Sequence, residues 1–159
     1  MYKSIMKHFI FFLKKITILI FSMFYIGVGL AHFITPDIFL IIMPPYLPFH
    51  LELVYLSGFL EVLFGFLLLF KKYRLFAGYG LVLLLIAVFP ANFYLFQSEL
   101  ARDAYGLITK QQAFIRMLFQ PLLIIVAYWH SQEDYNPKYS HIYILCAIIT
   151  IIYFSQILF

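Results

Sequence analysis

Residues 51–70 read LELVYLSGFLEVLFGFLLLF. Past Glu52, near its start, the run contains one acidic or basic residue, Glu61. A helix of this length, at about 1.5 Å per residue, covers roughly 30 Å, the thickness of a bilayer's hydrocarbon core. The run is too long for a strand, and it is apolar on every side except around that one carboxyl. The reading that follows is a transmembrane helix with a carboxyl group near the membrane midplane, where ionisable residues are costly and turn toward other helices.

Working outward, the rest of the chain has the same character. Of its 159 residues 65% are apolar and 11% are charged, against about 25% charged in an average soluble domain. Five windows suit membrane crossing: 16–34, 51–70, 75–96, 113–129 and 141–159. The fold expected is an all-α, polytopic transmembrane helix bundle forming one membrane domain over 1–159, with four core helices and a fifth at the C-terminus. The first window opens after Lys14 and Lys15 and stops at Thr35, Pro36 and Asp37. A cleaved signal peptide is the competing reading of this window. Against it, Ser22, Tyr25, Gly29 and His32 recur at spacings of three, four and three, which puts them on one helical face, and a discarded peptide needs no polar face. Segment 37–50 is apolar but broken by Pro44, Pro45 and Pro48, which forbid a continuous helix, so an interfacial or re-entrant loop is expected. Segment 97–112 is polar and contains Gly106, as an ordinary water-exposed loop would. Pro90 and Pro121 are expected to bend their helices, and Tyr46, Tyr94, Tyr128 and Trp129 to serve as interfacial anchors.

The net charge of +4 reports orientation rather than nucleic-acid binding, because no positive stripe exists to meet phosphates. Lys3, Lys7, Lys14, Lys15, Lys71, Lys72, Arg74 and Lys138 fall on one side of the alternating topology, and Arg102, Lys110 and Arg116 on the other. A cell (inner) membrane protein with a cytoplasmic N-terminus is expected. Its last crossing is the least determined, since Glu133 and Asp134 sit beside Lys138. The single cysteine, Cys146, excludes an intramolecular disulfide and a Cys-x-x-Cys redox site.

Glu61 is flanked on its own helix by Ser57, Gly58 and Gly65, a narrow face that lets a neighbouring backbone approach. Its candidate partners are His32, Asn92, Arg116 and Gln120, the last two four residues apart and so on one face. All fall in the outer half of the expected topology, which gives an outward-facing polar binding pocket of Glu61, His32, Asn92, Arg116 and Gln120. The plainer reading of His32 and Asn92 is interhelical glue, worth about 0.6 kcal/mol each. For Glu61 the plainer reading is an ion pair with Arg116 that locks the bundle. No phosphate loop, nucleophile elbow or His-Glu-x-x-His is present, and no metal site is expected. A haem held between two helices is the remaining use for the dispersed histidines.

Five stretches carry a family likeness: 29–33 (GLAHF), 43–48 (MPPYLP), 57–65 (SGFLEVLFG), 87–92 (AVFPAN) and 116–120 (RMLFQ). Together they resemble the DoxX-like family of small bacterial integral membrane proteins over about residues 20–130. The resemblance implies a four-helix bundle with family-typical positions at His32, Glu61, Pro90, Asn92, Arg116 and Gln120. The chain departs from the pattern in having Leu118 two residues after the arginine, where the family often has proline, in placing Pro121 after the glutamine, and in its fifth helix. Some relatives of that family accompany thiosulfate:quinone oxidoreductases or other redox complexes, and distant ones act as assembly factors. The expected function is therefore an accessory subunit of a quinone-linked membrane redox system, not an enzyme on its own, with other membrane redox proteins as partners and a quinone as ligand. Two alternatives stand beside it. One is a non-catalytic assembly or stability factor. The other is a small proton-coupled transporter relaying protons through Glu61, which lacks the inverted repeat many transporters carry.

Overall fold

The structure, a computed structural model, describes the backbone of residues 2–132 and 137–158 and the side chains of 5–132 and 139–155. Glu133, Asp134, the side chains of Lys3 and Lys138, and the expected end of the fifth window at Phe159 lie outside these. The described residues form seven α-helices: α1 (Tyr2–Ile34), α2 (Pro36–Leu40), α3 (His50–Leu68), α4 (Arg74–Gln97), α5 (Glu99–Ala104), α6 (Lys110–Ser131) and α7 (Pro137–Leu158). A 3-10 turn, Lys71–Tyr73, joins α3 to α4.

Four stretches, Ile5–Ile34, His50–Leu68, Lys71–Gln97 and Lys110–Ser131, are long and apolar enough to cross a membrane. They share a core with α7, whose described apolar stretch, Tyr139–Ser155, is shorter. The protein is a polytopic, all-α membrane bundle. Much of its outer surface is apolar, with Phe59, Phe76, Leu83 and Ile86 each more than half exposed, as suits a lipid-facing side.

The first helix begins well before residue 16. Nothing between Tyr2 and Lys15 breaks a helix, and lysine is a good helix former. The 33 residues of α1 reach about 50 Å at 1.5 Å per residue, so its basic end runs past the apolar thickness of the other helices. The lysines at 14 and 15 mark where the apolar stretch begins, not where the helix begins.

Glycines allow close helix contacts. A Cβ on Gly29 would stand 2.6 Å from the Gly58 carbonyl oxygen, and one on Gly58 would stand 2.5 Å from His32 Cβ. This crossing of α1 and α3 works only without side chains on those two residues, and Gly65 repeats the approach one helical stretch later, against Tyr25 and Ile26. At the other end of the bundle Gly78 lets α4 meet Ala127 and Ser131 of α6.

Two expectations need correction, for segment 97–112 and for Trp129, and the expectation for segment 37–50 gains detail. Segment 37–50 is not wholly irregular: Pro36 starts the short α2, and the chain then turns so that Ile42 and Pro44 are buried and the Pro44 carbonyl lies 3.1 Å from His50 Nε2. Segment 97–112 is not an ordinary exposed loop. Ser98 caps α5 by accepting from the Ala101 N–H, Ala101 is buried, and Gly106 (φ 123°) makes the turn that precedes α6. There Thr109 and Gln112 form a capping box. Trp129 is not a surface anchor. It is 4% exposed, with the Lys14 ammonium 5.4 Å from its ring centre and Tyr143 of α7 stacked at 5.8 Å. Pro90 and Pro121 both sit inside continuous helices.

Candidate functional site

Glu61, His32, Asn92, Arg116 and Gln120 line one cavity of about 300 Å³. It lies toward the end of the bundle capped by α2 and α5, with Phe39, Ile42, Met43 and Tyr105 contributed by those connections. The rest of its wall is largely apolar or aromatic and includes Tyr25, Val88, Leu123 and, from α7, Tyr153 and Phe154.

The polar groups fall into two sets on two helix pairs. On α1 and α3, the predicted face of α1 is turned inward: Ser22, Tyr25, Gly29 and His32 are all buried. His32 Nδ1 lies 2.9 Å from the Val28 carbonyl oxygen of its own helix, so that nitrogen carries the proton it donates there. The same Nδ1 is 3.5 Å from Glu61 Oε2, and the imidazole stacks on Phe39 with ring centres 3.6 Å apart. Because the Nδ1 proton is committed to Val28, Glu61 Oε2 makes no hydrogen bond to the protein, and neither does the buried hydroxyl of Tyr25. The Glu61 side chain is only 12% exposed, so an acceptor and a hydroxyl without protein partners face the same cavity.

On α4 and α6 the situation is reversed. Arg116 Nε donates to Asn92 Oδ1 at 3.0 Å, Asn92 Nδ2 donates to Gln120 Oε1 at 2.8 Å, and Gln120 Nε2 donates to the Leu85 carbonyl at 2.5 Å. Arg116 also donates through a terminal nitrogen to the Tyr105 hydroxyl, and its guanidinium lies over that ring, 5.0 Å from the centre. Four side chains and a backbone oxygen thus form one connected chain of hydrogen bonds. Arg116 and Glu61 do not form an ion pair. Arginine is held by Asn92 and Tyr105, and the ionisable neighbour of Glu61 is His32.

The residues that sequence reading did not select are Tyr105, Phe39, Tyr153 and Phe154. Tyr105 lies in a segment whose polarity resembles a plain loop; the signal was the glycine after it and the Ser98 and Thr109 caps on either side, which mark structured turns. Of the dispersed histidines, His50 is engaged by Pro44, and His130 Nε2 lies 3.1 Å from the Thr17 hydroxyl.

The chain is thus a multi-pass membrane protein whose helices enclose a largely apolar cavity with a cluster of polar side chains on its wall. It belongs to the family defined by a domain of unknown function, DUF8561, whose model matches residues 21–131. The matched stretch holds all five cavity residues read from the sequence and leaves α7 outside. No curated protein and no solved structure matches the chain.

Proposed function

We propose that this protein is a DoxX-like accessory subunit of a membrane redox system, placed in the cell (inner) membrane with its N-terminus in the cytoplasm, and that its cavity holds the head group of a quinone. The observation that carries the reading is the unsatisfied side of the cavity: a buried carboxylate oxygen and a buried hydroxyl without protein partners, inside an otherwise apolar and aromatic enclosure. Buried polar groups left unpaired cost about 1–3 kcal/mol each, and a ligand that pairs them recovers that cost. A quinone carbonyl accepts from the Tyr25 hydroxyl, and the hydroxyl of the reduced ring donates to Glu61. Arg116 has five N–H donors, and those beyond its contacts with Asn92 and Tyr105 supply positive charge for a ring oxygen. Protein partners that exchange electrons with the quinone complete the system, and this chain alone turns over nothing.

The test is titration of the purified protein with a short-chain quinone and its reduced form. Saturable binding that weakens about tenfold or more, the equivalent of one charged hydrogen bond, in Glu61→Gln and in Arg116→Ala is expected. Indifference to both substitutions overturns the reading.

A second reading, a non-catalytic assembly factor, draws support from the α4 and α6 side, where Arg116, Asn92 and Gln120 satisfy one another and need no ligand. It predicts that deletion lowers the amount of another membrane protein while the isolated chain binds no quinone.

A further inference from the structure

The cavity around Glu61 holds about 300 Å³, the share of about ten waters at roughly 30 Å³ each. That is room for a ring and its substituents, not for a long hydrocarbon chain as well. A lipid-borne ligand whose head group reaches Glu61 must leave its chain outside, and the chain has to cross the wall somewhere.

Most of the wall is held by contacts that a chain cannot part cheaply. Between α1 and α3, Gly29 and Gly58 bring backbone against backbone, with no flexible side-chain tip to move aside. Between α4 and α6, Asn92 donates to Gln120 at 2.8 Å and Gln120 donates to the Leu85 carbonyl at 2.5 Å. A hydrocarbon passing there would break these bonds and replace none. At the capped end Ile42 packs in one cluster with Leu95 and Ala101, and Tyr105 is held by Arg116.

The side closed by α7 is different. The helices pack in the order α1, α3, α4, α6 and α7, and α7 returns to α1. At the far end of the bundle α1 and α6 meet directly: the Thr17 hydroxyl lies 3.1 Å from His130 Nε2, and Phe21 meets the His130 ring edge-on at 5.5 Å. Level with the cavity, two α7 side chains stand between these helices. Phe154 lies against Phe24 of α1 with ring centres 4.6 Å apart, and Tyr153 stacks on Phe119 of α6 at 3.7 Å, nearly parallel. Phe24, Tyr153 and Phe154 all line the cavity. Next to them in the chain, Met23 and Ile152 are exposed apolar residues, as suits a surface that faces lipid. Closure here is ring on ring. A ring turns about its own side-chain bonds without moving a helix axis, and its apolar face accepts a hydrocarbon chain with no polar group left unpaired.

We propose that the seam between α1 and α7 is the groove for the hydrocarbon chain of the cavity's ligand, a quinone with a long isoprenoid chain whose ring lies at Glu61 and whose first chain carbons pass between Phe24 and Phe154. The proposal rests on the quinone reading for the head group, and adds where the chain runs and that the ligand enters sideways from the lipid. Its test uses the full chain in lipid nanodiscs and two probes: a short-chain quinone, and a long-chain quinone carrying a photoactivatable diazirine on its second isoprene unit. After illumination, peptide mass spectrometry should place the adducts on α1 around Phe24 and on α7 around Tyr153 and Phe154, and excess short-chain quinone should suppress them. Phe154→Ala should weaken the long-chain quinone about threefold or more relative to the short-chain one. Leu83→Ala, at an exposed position of α4, should change neither. Adducts concentrated on α3 or α4, or an unchanged ratio of the two affinities in Phe154→Ala, would overturn the proposal while head-group binding stands. Absence of saturable short-chain binding would instead remove the head-group reading, and this proposal with it.

Discussion

Replacing Gly58 by alanine tests whether the α1–α3 crossing shapes the cavity. The added methyl would stand 2.5 Å from His32 Cβ and 2.9 Å from the Gly29 carbonyl oxygen. Carbon atoms pack at about 3.5–4.0 Å, so the two helices must separate by about 1 Å or more at that level. Neither obstacle is the flexible end of a side chain: one is backbone and the other is the β-carbon of a residue fixed by its hydrogen bond to Val28 and its stack on Phe39. Overpacking of this kind costs about 1–3 kcal/mol. The matched control is Gly27→Ala on α1, where an added methyl meets nothing within 4 Å. Helix propensity alone makes that change neutral or stabilising by up to about 1 kcal/mol. Unfolding of both variants, by heat or denaturant in one detergent, should show Gly58→Ala clearly below the parent and Gly27→Ala at or above it. If both behave alike, the helices do not meet as described, and the placement of His32 beside Glu61 fails with them.

The two sides of the cavity make opposite predictions. Gln120→Leu keeps the volume of a side chain that is 2% exposed but takes the acceptor from an Asn92 N–H and the second donor from the Leu85 carbonyl, so it should cost about 1–3 kcal/mol in the same unfolding assay; an unchanged midpoint would show that the network has no structural weight. Tyr25→Phe removes a buried hydroxyl without a protein partner and should leave the midpoint unchanged or raise it. A loss above about 1 kcal/mol would mean that the hydroxyl has a structural partner.

What the sequence showed well was whatever the membrane makes expensive. A lone carboxyl in the middle of the span, at Glu61, has few places to point, and small residues at positions 58 and 65 showed which side of its helix a neighbour could approach. The inward face of α1 followed from the spacing of Ser22, Tyr25, Gly29 and His32. Pairing among the polar residues was not legible, because several partners were compatible with each. Opposite charge made an Arg116–Glu61 pair one of the open readings, whereas in the fold Tyr105, brought over α6 by the turn at Gly106, occupies the guanidinium. Segment 97–112 was misread, and the inward side chains of segment 37–50 were missed, for a related reason. Composition describes average exposure, while Phe39 and Tyr105 are fixed by caps and turns that bring single side chains of polar or broken segments onto the cavity. Trp129 was misread because an aromatic residue near a helix end suits a lipid interface unless another helix covers it, and α7 does.

The asymmetry of the cavity bears on which functional reading survives. A scaffold draws no stability from the Glu61 oxygen and the Tyr25 hydroxyl that make no hydrogen bond to the protein, since an apolar residue of similar shape is neutral or better there. A binding site retains such groups because the ligand completes them, and the cost in the empty protein is offset on binding. In the proposed binding site the self-satisfied Arg116, Asn92 and Gln120 chain would have a definite part. It fixes one side of the cavity, with the guanidinium already oriented, while the Glu61 and Tyr25 side stays open to a partner. A rigid side and an unsatisfied side together are what a preorganised pocket requires. A bundle in which both sides were saturated would have given no reason to look beyond packing.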